Sequence, residues 1–439
     1  MNKVVTEQSR KVELLVPAGS LEVLKIAVVF GADAVYIGGD AFGLRAKAKN
    51  FSPQEMAEGI AFAHAHGVKV YVTVNIIAHN EDLPGVRDYL AQLGEIKPDA
   101  LIIADPGIFS LAREICPELD IHISTQANNT NYETAMFWQR LGAVRIVTGR
   151  ELSLEEIRTM RMHLGEQMQI ETFVHGAMCI SYSGRCLLSS FLAGRDANRG
   201  SCSHPCRWKY YVMEETRPGE YMPVLENERG TFLFNSKDLC MIDHLDDLME
   251  AGIDSFKIEG RMKTALYVAS VTRAYRHAID EWIRDPESYR AHKAQYLAQA
   301  AACTHRSFTT GFFYGRPDQE SQIYEESTYI REAVYLGYAQ TDAQDGWFRL
   351  TQKNKFCTGD EIELMRPDGS DLAAKVLGIR DLEGNDMSSA PHARQELWIR
   401  LDIPAARYDI LKMPSGDAKE RNCSAFVPHT CQGTPAVSQ

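Results

Sequence analysis

Hydrophobic residues in the first 260 positions fall into short, nearly continuous runs, and helical periodicity separates most of them. Such runs, alternating with helices, are typical of parallel strands buried on both faces. Eight of them predict a closed (β/α)8 TIM-like barrel, with an open doubly wound sheet as the alternative. The runs are Glu13–Val16, Ala34–Gly38, Lys69–Asn75, Ala100–Ala104, His122–Thr125, Arg145–Thr148, Gln169–Val174 and Ser255–Ile258.

Local signals at the helix starts agree with this alternation. Ser52 and Ser153 each precede a helical pattern and are followed three residues later by a glutamate, Glu55 and Glu156. This spacing allows a capping box, in which the serine and the glutamate satisfy each other's backbone N–H groups. The pattern therefore predicts strand-to-helix junctions at both places.

Polar residues follow directly after the predicted strands. In a (β/α)8 barrel this carboxyl-terminal rim carries the catalytic groups, although Asn, Asp, Ser and Gly also favour turns for backbone reasons alone. Among the rim residues we expect catalytic roles for Asn75, Gln126, His175 and Glu259. Asn128, Lys257 and Arg261 are further candidates at the same rim.

An unusually long segment, residues 177–254, separates the seventh predicted strand from the eighth. Clustered cysteines in a chain without an export signal are more often metal ligands or redox groups than disulfides. Their spacing lacks the two closely spaced cysteine pairs of a zinc ribbon, in which two residues separate the members of each pair. The spacing therefore favours an iron–sulfur cluster above the barrel mouth. The cysteines are Cys179, Cys186, Cys202, Cys206 and Cys240.

Five cysteines exceed the four ligands that such a cluster normally takes, and the sequence excludes none of them outright. Pro205 stiffens the turn before Cys206, and an amphipathic strand pattern starts directly after it. These two features favour Cys206 as the cysteine that is not a ligand.

Composition and charge indicate the class of protein, its cellular compartment and its attraction to RNA. The 439 residues are 45% hydrophobic and 24% charged, as in a globular protein of more than one domain. No signal segment or apolar stretch of about 20 residues is found, so we expect a cytoplasmic protein without a membrane partner. The net charge of −12 gives no general attraction to RNA, but residues 177–210 hold five cations against one anion.

The sequence after the barrel changes to alternating polar and apolar residues with glycine and aspartate turns. This pattern predicts a small C-terminal antiparallel β-barrel. The expected organisation is a flexible N-terminus (1–10), the (β/α)8 barrel (11–305) with its insertion (177–254), a linker (306–330), the β-barrel (331–420) and a tail (421–439).

Several motifs together resemble those of the collagenase-like peptidase family U32. ETFVHGAMC ends at Cys179 and is followed by SGRC, GRDANRG and CRW; PAG, KDLC and KIEGRMK lie elsewhere in the chain. Members of this family are described as peptidases or, in the iron–sulfur group, as hydroxylases of RNA or of quinone precursors. The two-domain layout is most similar to the group that converts wobble uridine of tRNA to 5-hydroxyuridine with prephenate.

The resemblance implies a 4Fe-4S cluster held by Cys179, Cys186, Cys202 and Cys240, with prephenate as co-substrate. We also expect tRNA and the iron–sulfur assembly machinery as partners, and the sequence leaves the need for an auxiliary protein open. Prephenate carries two carboxylates, which cations would bind. The cations that we expect to do so are Arg45, Arg195, Lys257 and Arg261.

Three alternatives remain open from the sequence. A collagenase-like peptidase needs an activated nucleophile or a metal-bound water, and the chain has neither a GxSxG nor an HExxH motif; His175 with Cys179 is the nearest pair. A hydroxylase of another RNA or of a ubiquinone precursor is the second alternative. The third is an RNA-binding module in which the cluster is purely structural.

Overall fold

The computed structural model describes residues 12–44, 50–179, 181–182, 185–207, 211–213, 221–223, 237–315 and 333–414. The chain divides into two compact units, Met1–Arg331 and Glu332–Gln439, which are described separately. The predicted flexible N-terminus (1–10) and the tail (421–439) lie outside the described residues.

The first unit contains twelve strands within its described residues. They are β1 (Glu13–Pro17), β2 (Ala34–Gly38), β3 (Lys69–Val74), β4 (Ala100–Ile103), β5 (Asp120–Ile123), β6 (Arg145–Val147), β7 (Gln169–Ala177), β8 (Tyr211–Met213), β9 (Tyr221–Pro223), β10 (Asp238–Cys240), β11 (Ser255–Ile258) and β12 (Phe308–Thr309).

Eight of these strands close into a parallel barrel. β1 to β7 pair in chain order, and β11 pairs with both β7 and β1. Each predicted run overlaps one of the eight strands, so the predicted TIM-like barrel is confirmed. The open sheet is wrong because β11 joins the first and seventh strands.

Helices connect the strands and cover the barrel. They are α1 (Leu21–Val29), α2 (Pro53–Ala65), α3 (Leu83–Ile96), α4 (Pro106–Ile115), α5 (Tyr132–Arg140), α6 (Leu154–Leu164), α7 (Leu188–Ala193), α8 (Leu245–Glu250), α9 (Ala265–Arg284) and α10 (Pro286–Ala301). Both predicted capping boxes are present, at the starts of α2 and α6. None of the helices in the described part of the chain has the length and apolar character that a bilayer span requires.

The insertion returns to the barrel at its end. β8 and β9 form a two-stranded hairpin, while β10 pairs antiparallel with the last residues of β7. β12 adds to β10 in parallel, and the Leu154 amide donates to the Phe313 carbonyl at 3.0 Å. The first part of the expected linker, up to residue 315, is therefore part of the barrel unit, and residues 316–330 lie outside the described residues.

A β-bulge interrupts the pairing of β7 with β11. Phe173 is opposite Lys257, but the next pair joins His175 to Ile258, so Val174 has no opposite residue in β11. A bulge changes the face to which the following side chains point. The last residues of β7 therefore do not continue the alternation of the strand.

The second unit is antiparallel, as predicted. Its strands are β13 (Ala333–Tyr338), β14 (Trp347–Thr351), β15 (Phe356–Cys357), β16 (Glu361–Met365), β17 (Asp371–Arg380), β18 (Asp386–Met387), β19 (Ser389–Ala390), β20 (Glu396–Leu401) and β21 (Ile410–Pro414). The main sheet has the order β13-β21-β16-β17-β20-β14, and a bridge between Ala339 and Leu350 joins its two ends. Its core includes Leu336, Phe348 and Ile399.

Candidate functional site

Charged side chains inside the barrel form an ionic network. Arg145 donates to Glu13 at 2.6 Å and to Glu171 at 3.0 Å, and Lys257 donates to the other oxygen of Glu171 at 2.5 Å. The Tyr71 hydroxyl adds a bond of 2.7 Å to Glu13. Burial alone would raise the pKa of Glu13, but Arg145 and these hydrogen bonds hold that pKa below its usual value.

A pocket lies above this network at the carboxyl ends of the barrel strands. Its walls combine residues from the strand ends with residues from the insertion, as expected for an insertion that follows the seventh barrel strand. The lining includes Tyr36, Asn75, Gln126, Arg150, Phe173, Lys257, Glu259 and Arg261 from the barrel, and Cys179, Tyr182, Cys186, Asn198, Cys202, His204 and Cys206 from the insertion.

Two of the residues predicted to be catalytic, Asn75 and Gln126, place side-chain amides in the wall of the pocket. Asn75 follows β3; its Nδ2 donates to Ser124 Oγ at 3.2 Å, and its Oδ1 accepts from the Leu44 amide at 3.2 Å. Gln126 lies in a 3-10 turn after β5, where its backbone N–H donates to the same Ser124 hydroxyl at 3.2 Å. Ser124 thus connects the two residues.

Two of the four predicted carboxylate-binding cations also line the pocket. Lys257 is held from below by Glu171. Arg261 follows β11; it donates to Thr73 Oγ1 at 2.8 Å and to the Leu44 carbonyl. Arg45 lies outside the described residues, and Arg195 is not part of the pocket lining.

Arg150 is a pocket cation that sequence reasoning set aside. It follows β6, and its guanidinium carbon lies 3.9 Å from the centroid of the Phe173 ring. One guanidinium nitrogen is 3.8 Å from a carboxylate oxygen of Glu259. The available signal was its position at a strand end, but Gly149-Arg150-Glu151 has the composition of an ordinary turn.

The insertion brings Cys179, Cys186, Cys202 and Cys206 to one wall of the pocket. Cys179 is exposed and the other three are partly exposed. The backbone N–H of His204 points to Cys202 Sγ at 3.4 Å. An N–H directed at sulfur stabilises a thiolate, which is the form that binds metals.

Contacts to the other side of the mouth hold the insertion in place. Arg199 donates to Glu81 at 3.1 Å and to Asp82 at 2.5 Å, both at the start of α3. The Asn198 carbonyl accepts from the Ile77 amide at 3.3 Å, while the Asn198 side chain donates to the Cys186 carbonyl at 3.4 Å. The cysteine wall is thereby tied to the loop after β3.

His175 does not reach the pocket, contrary to expectation. Past the bulge its side chain lies among Tyr267, Tyr275 and Phe308, with ring centroids 5.6 to 6.0 Å away. Burial, with the nearby His305 and Lys263, lowers the pKa of His175 to about 3. A neutral imidazole buried on the helix side of the barrel has no access to a substrate in the pocket.

Cys240 is also placed away from the pocket lining. It pairs with His175 across β10 and β7, and its thiol contacts the Tyr275 hydroxyl. Burial raises the pKa of this thiol to about 12. The expected ligand role of Cys240 stays a prediction, and the structure adds Cys206 to the thiols at the pocket.

Within the described residues, no three His, Cys, Asp or Glu side chains converge closely enough to hold a metal ion. The chemistry of the cysteine wall nevertheless suits an iron–sulfur cluster, which takes thiolate ligands from separate turns. Cys179, Cys186 and Cys202 belong both to the expected ligand set and to the pocket wall.

Comparison with known proteins identifies the family. The sequence pattern of peptidase family U32 matches residues 19–323, and that of the family's C-terminal domain matches residues 331–412. The chain belongs to peptidase family U32. Its relatives include "tRNA hydroxylation protein P1" of Bacillus subtilis, which is 42% identical over 90% of this chain and 93% of that protein.

Two Escherichia coli proteins extend this comparison. "tRNA hydroxylation protein P" is 37% identical over 89% of this chain and 93% of its own length. "23S rRNA 5-hydroxycytidine C2501 synthase" is 39% identical over 64% of this chain and 41% of its own length. The names of all three relatives refer to RNA hydroxylation.

Proposed function

We propose that this U32 protein is an RNA hydroxylase that acts on tRNA, converting wobble uridine to 5-hydroxyuridine with prephenate as co-substrate. The proposal is supported by two relatives, similar over about nine tenths of the chain, that are named as tRNA hydroxylation proteins. A third relative is named for 5-hydroxycytidine, which is the product of hydroxylation at C5 of a pyrimidine.

The observation that carries the proposal is the composition of one pocket. Cysteines from the insertion line one wall, while amide, carboxylate and cationic groups from the strand ends line the other. A redox cofactor and a bound substrate can therefore share one cavity, which a binding module has no need to provide.

Cys179, Cys186 and Cys202 would hold a 4Fe-4S cluster, with Cys240 as the fourth ligand implied by the resemblance or Cys206 as the fourth thiol at the pocket. When bound, such a cluster supplies electron transfer. The His204 N–H that points to Cys202 Sγ would stabilise the thiolate there.

The remaining pocket residues have separable roles in binding and proton transfer. The carboxamides of Asn75 and Gln126 match the donors and acceptors of a pyrimidine edge. Glu259 is the one Asp or Glu among the described residues of the lining, and it would act as the acid–base group of the site. Lys257, fixed by Glu171, contributes a positive charge beside the reacting base.

The cellular setting follows from this function. A tRNA substrate and an iron–sulfur cluster both point to the cytoplasm, with the iron–sulfur assembly machinery as a partner and without a membrane. An auxiliary protein completes the expected set of partners.

Nucleoside mass spectrometry of total tRNA tests the proposal. In cells that lack the protein we expect loss of 5-hydroxyuridine and its derivatives, restored by the wild type but not by Cys186→Ser. The exposed Met162→Ser on α6 is the matched control. An unchanged nucleoside profile would contradict tRNA hydroxylation and favour the peptidase or quinone-precursor alternatives.

A pair of serine variants decides the fourth ligand. Iron, sulfide and visible absorbance are measured on anaerobically purified Cys206→Ser and Cys240→Ser. We expect one variant to lose most of the cluster while the other keeps it. Full cluster content in both would contradict a four-cysteine site that uses either residue.

A further inference from the structure

The short helix α7 of the insertion presents an exposed apolar face beside the pocket. Phe191 is 82% exposed, and Leu187 and Leu192 are at least half exposed. The Phe191 amide donates to the Leu187 carbonyl at 3.0 Å, so these two residues lie one helical turn apart on the same face. A group of exposed apolar side chains, unlike a single one, is typical of an interaction surface.

We propose that this face binds the unpaired nucleotides next to the base that enters the pocket. Phe191 stacks on one of these bases, and two arginines bind backbone phosphates. This inference rests on the proposed function, because it assigns a contact surface to the RNA substrate of that reaction. The residues concerned, called the α7 surface below, are Tyr182, Arg185, Leu187, Phe191 and Arg195.

The α7 surface begins at the mouth of the pocket. Tyr182 lines the pocket and is also 54% exposed, so it borders both the cavity and the solvent. The Arg185 amide donates to the Tyr182 carbonyl at 3.1 Å, and Leu188 of α7 lines the pocket as well. An enzyme that takes one base of a strand into its pocket contacts the flanking nucleotides outside that pocket. Those nucleotides would therefore lie against the residues around the mouth.

Hydrogen bonds fix α7 to the segment that carries the cysteines. Ser189 is buried; its hydroxyl accepts from the Ser203 amide at 3.0 Å and lies 3.0 Å from the Ser203 hydroxyl. Ser203 directly follows Cys202, which lines the pocket. A surface on a fixed helix needs little ordering when it binds a ligand, and this favours binding.

Charge favours an RNA strand over a protein as the occupant. Arg185 is exposed and Arg195 follows α7 directly, and neither guanidinium forms an ion pair within the described part of the chain. Asp196, the acidic residue next to them, accepts from the Asn198 amide at 2.8 Å in its own turn. Aromatic rings between cations match the bases and phosphates of a single strand. The protein as a whole, with a net charge of −12, offers no such attraction.

The test is fluorescence anisotropy of the anaerobically purified protein with a labelled anticodon stem–loop RNA that has uridine at the wobble position. Phe191→Ala removes the ring, and Phe191→Tyr keeps a ring that can stack. Stacking contributes about 1–3 kcal/mol per base, so we expect the Kd to rise about 5- to 150-fold in Phe191→Ala. Phe191→Tyr should stay close to the wild-type Kd. Phe137→Ala, the same change at an exposed phenylalanine of α5 outside the pocket lining, is the matched control.

The salt dependence of the Kd separates stacking from phosphate contacts. Each phosphate contact of a single strand contributes about 0.7 to the slope of log Kd against log salt concentration. Arg185→Gln and Arg195→Gln should each lower this slope by about 0.7, whereas Phe191→Ala should leave it unchanged. Arg140→Gln, at an exposed position of α5, is the matched control. An unchanged slope in both arginine variants would contradict the phosphate contacts.

Further measurements separate this surface from folding, from a protein partner and from the proposed function. The thermal midpoint and the cluster absorbance should stay at wild-type values in all variants. A wild-type Kd in Phe191→Ala, or no RNA binding by the wild type, would overturn the inference. Loss of 5-hydroxyuridine in cells that carry Phe191→Ala, with unchanged RNA binding, would also overturn it and would indicate a protein partner. If the wild type binds the RNA but forms no 5-hydroxyuridine, the proposed function fails while the variants still decide the inference.

Discussion

The barrel contains two sets of charged side chains that differ in the length of the ion pairs between them. In the ionic network inside the barrel each charged group has an oppositely charged partner within 3.0 Å. Glu171 forms ion pairs with both Arg145 and Lys257. At the pocket, Arg150 and Glu259 are 3.8 Å apart. A closed network fixes the strands that carry it, whereas a loose pair can rearrange when a ligand arrives. We therefore expect substitutions in the first set to change stability and those in the second to change activity.

The largest effect is expected for Glu171→Gln. The change leaves Arg145 and Lys257, both nearly inaccessible to water, without the carboxylate that they share. Breaking a buried ion pair costs about 3–5 kcal/mol of the free energy of unfolding, which urea denaturation would measure. The exposed Glu118→Gln serves as control, and a loss below about 1 kcal/mol would refute a stabilising role for the network.

Glu259→Gln should show the opposite behaviour. Because the ion pair of this carboxylate with Arg150 is long, 3.8 Å, the free energy of unfolding should change by no more than about 0.5 kcal/mol. Loss of a proton acceptor typically slows a reaction about 100-fold, measured as 5-hydroxyuridine formed per unit time. A variant that is unstable yet fully active would reverse the assignment of the two sets.

Acidification provides a third comparison through His175. Its folded pKa is about 3, below the usual unfolded value, so the unfolded state binds the proton more readily. Stability is therefore full above about pH 6.5 and falls as the pH decreases toward 3. Between pH 7.5 and 5.5 the loss from His175 is about 1.4 kcal/mol.

A difference measurement isolates this contribution of His175. The pKa of His122 is also far below its usual value, mainly because of burial and then because of Arg145 and Lys257, so it adds a loss of the same sign. His175→Phe keeps an aromatic ring beside Tyr275 and removes one titrating group. Equal pH dependence of unfolding in wild type and variant would exclude the contribution of His175.

The smallest effect is expected at the anchor of the insertion. Arg199 is one third exposed, and exposed ion pairs contribute about 0.2–1 kcal/mol, so Arg199→Ala should destabilise by no more than this amount. Urea denaturation at low and high salt would measure the difference, which should shrink as salt screens the pair. A salt-independent loss above about 2 kcal/mol would show that packing, not charge, holds the insertion.

The fold was predictable because its signals are local. Buried parallel strands appear as continuous apolar runs, and the capping boxes at Ser52 and Ser153 mark helix starts. The bulge at Val174 has no such signal, because it depends on the pairing of β7 with a strand about 80 residues later. That long-range register places His175 on the helix side of the barrel.

The candidate site was predictable where a polar residue at the end of a predicted strand does not belong to a sequence typical of a turn. In a (β/α)8 barrel such residues form the catalytic rim. Asn75, Gln126, Lys257, Glu259 and Arg261 all line the pocket as the rule implies. Arg150 was missed because its neighbours favour a turn, and its stacking on Phe173 connects the ends of two strands. Cys206 was set aside on local grounds, whereas its place on the pocket wall results from contacts that the local sequence does not reveal.

The pairing of Glu13 with Ser255 has a consequence for biosynthesis. The closing strand β11 leaves the ribosome only after the whole insertion, so β1 and β7 lack one neighbour until then. Contacts between residues so distant in sequence form slowly, and open strand edges can pair with other chains. The cysteines of the insertion are translated before the barrel can close, so during that period the pocket that they will line has no complete wall.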